Sequence, residues 1–327
     1  MNLIASLKIN TLNPYIAQKL KNLTYFTILI TLFSSCAAPR AITNSGKVTP
    51  HKQLRFGSNF SGNISSYTAT SLFDGAISTA TDLAGKDTVN LDESVYTSEK
   101  VGLSYALDPI GAGYDFYVRY GIFKKVDIGY KFASGVHVFD AMYQFMGSTG
   151  TIDNPGKKGM SGSIGIQYSS QSYDLPFGFS KIQSLVGLEF KRKDLLIPLI
   201  FSVPFGEEEK YGCLSFGAAY NHSFINYGFD PDNIYIRAIN STNLVKIDPI
   251  QEKQNYSSLG LFFNLKAGYK YVYVLASLSM YYQDYGTYHM LNGESLNMSS
   301  YTFIPTLGLQ FNVFKIPFLN KKENKSK

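Results

Sequence analysis

Between Gly113 and Phe132 the chain reads GYDFYVRYGIFKKVDIGYKF, and its character alternates residue by residue on both sides of a short turn. Tyr114, Phe116, Val118, Tyr120 and Ile122 share one parity, and Asp115, Tyr117, Arg119 and Gly121 share the other. After Phe123-Lys124-Lys125 the pattern resumes, with Val126, Ile128, Tyr130 and Phe132 set against Asp127, Gly129, Lys131 and Ala133. A helix scatters a period-two set around its circumference. A strand puts it on one face. The stretch therefore predicts two antiparallel strands joined by a tight turn.

The same alternation recurs along the chain. Phe139, Ala141, Tyr143 and Phe145 oppose Asp140 and Gln144. Leu214, Phe216, Ala218 and Tyr220 oppose Ser215, Gly217 and Asn221, and Leu259 to Leu265 and Phe303 to Val313 behave alike. The polar face decides what kind of β-protein this is. A soluble sandwich would carry Lys and Glu there. Here it is mostly Gly, Ser, Asn, Gln and Thr with isolated charges, while Tyr and Phe cluster on the apolar face near strand ends. Of 327 residues, 25 are Tyr, 24 Phe and none Trp, and only 17% are charged, so Tyr must supply any aromatic girdle. This is the pattern of a transmembrane barrel, apolar outward and polar inward. No internal run reaches the ~18 apolar residues of a spanning helix.

The expected fold is all-β: a transmembrane, antiparallel, up-and-down β-barrel of about twelve strands over 52–314. The strands are placed at 52–65, 101–107, 112–122, 126–133, 136–147, 160–170, 183–191, 195–205, 211–226, 256–267, 271–285 and 300–314. Pro198 must sit at a bulge or near an end. With both barrel ends on one side, connections 66–99, 148–159, 227–254 and 286–298 fall on the other. Segment 66–99 has partial helical spacing at Leu72, Phe73, Ile77, Ala80 and Leu83. Strands flanking 227–254 are expected to extend as a hairpin.

Residues 1–35 contain Lys8, Lys19 and Lys21, no acid, and an apolar core from Leu23 to Phe33. This reads as an export signal. Phe33-Ser34-Ser35-Cys36 resembles a bacterial lipobox, which implies cleavage before Cys36 and acylation of its thiol. Residues 36–51 then read as a lipidated polar tether, and 315–327 as a basic polar tail. The net charge of +6 includes those three lysines. About +3 remains, too little to argue for nucleic acid. Cys213, the second cysteine, reads as a small residue of the barrel wall.

RYGIFKKVDIGYKF also resembles a recurring hairpin of porin-like bacterial outer-membrane β-barrels, with an Arg-aromatic-Gly strand end, a turn, and a Val-Asp-aliphatic-Gly strand. The likeness is strongest over 110–147. It implies an outer-membrane location and brings little chemistry with it.

Parity places Asp115, Arg119, Asp127, Lys131, Asp140, Glu189, Lys191 and Lys266 in the interior. Four acids and four bases line either a water-filled pore or a salt-bridged network that plugs and stiffens the barrel. His222-Ser223 invites a nucleophile reading, but His222 has lipid-facing parity and no orienting partner is legible. His51, His137 and His289 form no metal-ligand spacing. The expected partners are membrane lipid and small polar solutes, with no cofactor, and the oligomeric state stays open. The leading expectation is a non-enzymatic barrel, either a passive channel for small solutes or a structural or surface element. A barrel enzyme acting on lipid and a lipid-tethered soluble periplasmic β-domain are the alternatives.

Overall fold

A computed structural model describes residues 39–85, 91–173, 187–230, 235–237, 244–246, 248–291 and 293–313. The signal segment 1–35, Cys36 and the tail 315–327 lie outside the described residues. Ten strands close into one antiparallel barrel. They are β1 (Leu54–Ser65), β2 (Gly111–Phe123), β3 (Val126–Ala133), β4 (Val136–Met146), β5 (Ser161–Tyr173), β6 (Leu188–Phe205), β7 (Gly212–Phe229), β10 (Ile250–Tyr269), β11 (Val272–His289) and β12 (Ser295–Val313). β8 (Tyr235–Arg237) and β9 (Leu244–Lys246) form a separate small hairpin between β7 and β10. Pairing of Leu54 with Val313 through Ser65 with Thr302 shuts the wall.

Both β1 and β12 have their outer ends at one rim, the terminal end. Turns 124–125 and 270–271 and connections 147–160 and 206–211 open there. At the opposite rim, the loop end, β1, β3, β5, β7 and β11 end and β2, β4, β6, β10 and β12 begin, and the helices of the β1–β2 connection lie there. Connection 148–159, expected at the loop end, is thus at the terminal one.

The count of ten instead of about twelve has two causes. Residues 101–107, expected as a strand, continue α2 (Leu91–Leu107), which pairs with α1 (Ser66–Gly85) in the connection between β1 and β2. Nothing in 91–107 breaks the helix before Pro109, which cannot continue it. Val101, Leu103, Tyr105, Ala106 and Leu107 are all buried, so alternation there records all-round burial, not a sheet face. Helix α1 starts where the Ser65 hydroxyl accepts the Thr68 amide (3.4 Å), a cap at the third helical position. The second cause is that 183–191 and 195–205 are not two strands. Arg192-Lys193-Asp194, expected as the turn between them, lies within the continuous β6. Near Pro198 the β5–β6 ladder skips two pairs, between Ile164↔Leu199 and Gln167↔Leu196, which accommodates the missing amide.

Outside, the wall is apolar. Leu259, Leu261, Phe263, Leu265 and Tyr269 of β10 are all exposed. These ten residue steps span about 34 Å along the strand, or about 26 Å along the barrel axis at a ~40° tilt, the height of a membrane barrel's apolar band. Above that band, toward the loop end, the alternation inverts. In β6 Leu188, Phe190, Arg192 and Asp194 face in, while Glu189, Lys191 and Lys193 face out. In β7 the inward Ser215, Asn221 and Ser223 are followed by inward Ile225, Tyr227 and Phe229. There the outer face meets water and the inner face packs on α2. Leu103, Leu107, Leu188, Phe190, Ile225, Phe229, Tyr256, Tyr285 and Tyr288 form one buried cluster under the helices.

Candidate functional site

The chain's own N-terminal segment fills the barrel lumen. Residues 39–50, part of the expected flexible tether, run through the interior from near the loop end to the terminal end; nine of the twelve are buried and Thr43, Asn44 and Pro50 are half-buried. Both tether backbone and tether side chains are held. The Lys131 ammonium donates to the Pro39 (3.1 Å) and Ala41 (3.3 Å) carbonyls. Gln167 also donates to Pro39 O (3.0 Å), Tyr281 to Arg40 O (2.8 Å), Ser277 to Ile42 O (2.8 Å) and Asn264 to Asn44 O (3.1 Å). In the other direction, the Gly46 amide donates to Ser202 Oγ (3.0 Å) and the Thr49 amide to Asp127 Oδ2 (2.6 Å). Ile42 and Val48 pack on inward Leu196, Ile200, Ala219, Phe262 and Ile304. A segment without a sheet neighbour must find its hydrogen bonds elsewhere, and the polar inner wall supplies them. Gly121 makes room for it: a Cβ there would meet the carbonyl oxygens of Thr49 and Pro50.

Ion pairs tie this plug and the helical cap to the wall. Arg40 is fully buried, paired with Asp108 (2.7 Å) and bonded to Gln283. Asp108, just past α2, also accepts Asn63 (2.7 Å), Gln283 (2.8 Å), Tyr285 (3.1 Å) and Thr302. Arg192 chelates Asp194 (2.8 Å) and donates to the α2 carbonyl of Leu107 (2.6 Å). At the terminal end Lys47 pairs with Glu208 and Lys266 with Glu209. Burial raises the Glu209 carboxyl, but Lys266 and Arg55 outweigh it and hold it down at about 2. In the cap, Glu99 of α2 is fully buried and accepts the Leu291 amide (2.9 Å). Burial pushes its carboxyl up to about 7.

Six of the eight residues given interior parity line the lumen. Arg119 bridges Asp127 (2.6 Å) and Asp140 (2.5 Å). Asp115 accepts Asn59 (2.7 Å), Lys131 holds the plug, and Lys266 holds Glu209. Glu189 and Lys191 do not belong there. Both are exposed on the outer face of β6, because the inversion above the apolar band reverses the meaning of parity. Arg40, Lys47, Asp108, Arg192, Asp194, Glu208 and Glu209 were missed. The Arg192–Asp194 pair left a trace, since the run Lys191 to Asp194 puts charge on both parities. The tether and loop residues left none.

Among the described lumen residues, Arg40, Lys47, Arg55, Arg119, Lys131, Arg192 and Lys266 face Asp108, Asp115, Asp127, Asp140, Asp194, Glu208 and Glu209. Bases and acids balance, so no ring of one sign exists to select an ion. A cavity between plug and wall, bordered by Ala41, Ile42, Arg119, Lys131, Asp140 and Leu196, is about 30 Å³, room for a few water molecules at ~10–15 Å³ each and for nothing larger.

His222 and Ser223 are separated. Ser223 faces in, bonded to Arg192 (3.2 Å) and Asp194. His222 faces out, where its Nδ1 lies 3.0 Å from Ser257 Oγ on β10, with Tyr220 OH 2.9 Å from the same hydroxyl. Among the described residues no carboxylate orients His222. The neighbouring amides are engaged in ladder pairing, which leaves no donor pair for an oxyanion. Among the described residues no three metal-ligating groups converge.

No family model and no curated protein matches the chain. Solved structures that align with this chain include the attachment invasion locus protein Ail of Yersinia pestis, at 8% identity over 80% of this chain and 99% of that one, TM-score 0.28. A major outer membrane protein from Thermus thermophilus aligns at 10% identity over 79% and 99%, TM-score 0.29. The outer membrane protease OmpT from Escherichia coli aligns at 10% over 83% and 100%, TM-score 0.35. At these scores none of the three lends this chain a function.

Proposed function

We propose that this chain is a non-enzymatic outer-membrane β-barrel that stands closed along its axis, a structural or surface element and not an open solute channel. The observation that carries this reading is the segment 39–50 bonded down the lumen, beneath a helical cap. The membrane location is supported by the exposed apolar band, about 26 Å tall, on a closed wall without free edges. The loop end, with α1, α2 and the β8–β9 hairpin, is then the cell-surface side.

Two measurements test it. Unheated and boiled detergent extracts are compared by gel mobility, and a compact unheated species is expected. Planar-bilayer recording of that species should give no steady conductance. Open channels in the unmodified protein would overturn the closed reading, and recovery in buffer without detergent would overturn the membrane one. Acylation of Cys36 is part of the proposal and rests on the lipobox-like sequence. The intact mass of membrane-extracted protein decides it.

A further inference from the structure

Where the outer wall of β6, β7 and β10 rises out of the apolar band, three lysines share two neighbouring rungs. Cross-strand register aligns Lys191, Asn226 and Lys253 on one rung and Lys193, Phe224 and Asn255 on the rung nearer the band. Adjacent strands are ~4.8 Å apart and same-face rungs ~6.8 Å, so the three ammonium groups, on flexible four-carbon stems, can converge on one anion. They border a shallow groove of about 640 Å³. Among the described residues none of the three is in an ion pair. The nearest acids on this face are Glu189, one rung farther from the band, and Asp284, beside Ser257; Glu252, next to Lys253, borders the adjoining pocket and is engaged by Tyr227 and His289. The next rung holds Leu195, His222 and Ser257, and below it run the outward Ile197, Tyr220, Leu259 and Leu261.

Lysines that only marked the membrane edge would be spread around the wall. These are not. On the described outer faces of the barrel strands at the loop end, they are the only Lys or Arg side chains. Other described lysines outside the lumen lie in the terminal-end turns and loops, such as Lys124, Lys125 and Lys270, on α2, as Lys100 does, or on the β8–β9 hairpin, as Lys246 does. Concentrated positive charge directly above an apolar surface matches an anion that carries acyl chains.

We propose that this groove binds the phosphorylated head group of a lipid in the cell-surface leaflet, with the acyl chains lying on Leu195, Ile197, Leu259 and Leu261. The site rests on the membrane reading given above. Native mass spectrometry of the detergent-solubilised protein, titrated with diphosphoryl lipid A, tests it. The triple variant Lys191→Gln/Lys193→Gln/Lys253→Gln should bind about a hundredfold more weakly, roughly fivefold per lysine. Lys124→Gln/Lys125→Gln, at the other end, should bind as the parent does. All three proteins must first show the compact unheated gel species. A parent without it fails the membrane reading and this site together. Folded proteins with equal lipid affinity overturn this site alone. Displacement of the lipid by inorganic phosphate at equal concentration assigns the groove to the free anion and overturns the lipid as its occupant.

Discussion

Removing Arg119 separates a dry, plugged lumen from a wet pore. Its guanidinium bridges Asp127 and Asp140, with side-chain exposures of 3%, 1% and 10%. In Arg119→Met the stem volume is kept. Two carboxylates then stand together, Asp127 retaining the Thr49 amide. In a water-filled pore such a pair is worth ~0–1 kcal/mol. Orphaning buried carboxylates costs ~3–5 kcal/mol. With a urea dependence near 3 kcal/mol per M, the second case lowers the unfolding midpoint by about 1–1.7 M and the first by less than ~0.3 M. The midpoint can be followed in micelles by the loss of the compact unheated gel band. Arg119→Met/Asp127→Asn/Asp140→Asn removes the whole charge cluster and should recover most of the loss, since neutralising a buried network is often near neutral. A single-variant shift below ~0.3 M, or a triple variant no better than the single one, would refute the dry-lumen argument.

Three further outcomes are expected. Gly121→Val puts a side chain against the carbonyls of Thr49 and Pro50 and should cost ~1–3 kcal/mol by overpacking, with conductance bursts appearing in bilayers as the plug loosens. Leu261→Lys, in the exposed apolar band, should cost ~2–4 kcal/mol in a membrane, and a stable, detergent-independent product would contradict the band's orientation. Glu99 has a carboxyl raised to about 7 by burial, so its contribution to the cap is complete below about 4.5 and is lost as pH rises through about 7, an effect of up to ~3 kcal/mol. Protection of the α2 amides, each rate divided by its intrinsic rate at the same pH, should therefore fall between pH 5 and 8, and in Glu99→Gln that fall should vanish.

The hairpin Gly113–Phe132 shows how much of the fold is written locally. Its period-two pattern, its turn and the outward set Tyr114, Phe116 and Val118 need only neighbouring residues, because a strand's faces follow from its own pleat. The same holds for the apolar band on β10 and for the helical spacing near Leu72. What the lumen contains was not local. Asp127 binds the Thr49 amide, and Lys131 binds the carbonyls of Pro39 and Ala41, partners roughly eighty to ninety residues away in a segment without periodicity. A polar inner wall reads identically whether water or backbone satisfies it. The strand count erred for the same reason. Residues 101–107 and 191–194 lie above the apolar band, where burial under the cap, and not contact with lipid, sets which side is apolar. Alternation fixed a barrel with an apolar outside. Only the folded chain could decide that the barrel is full, since the closing segment finds its hydrogen bonds across the whole lumen, with Ser45 to Lys47 O the local exception.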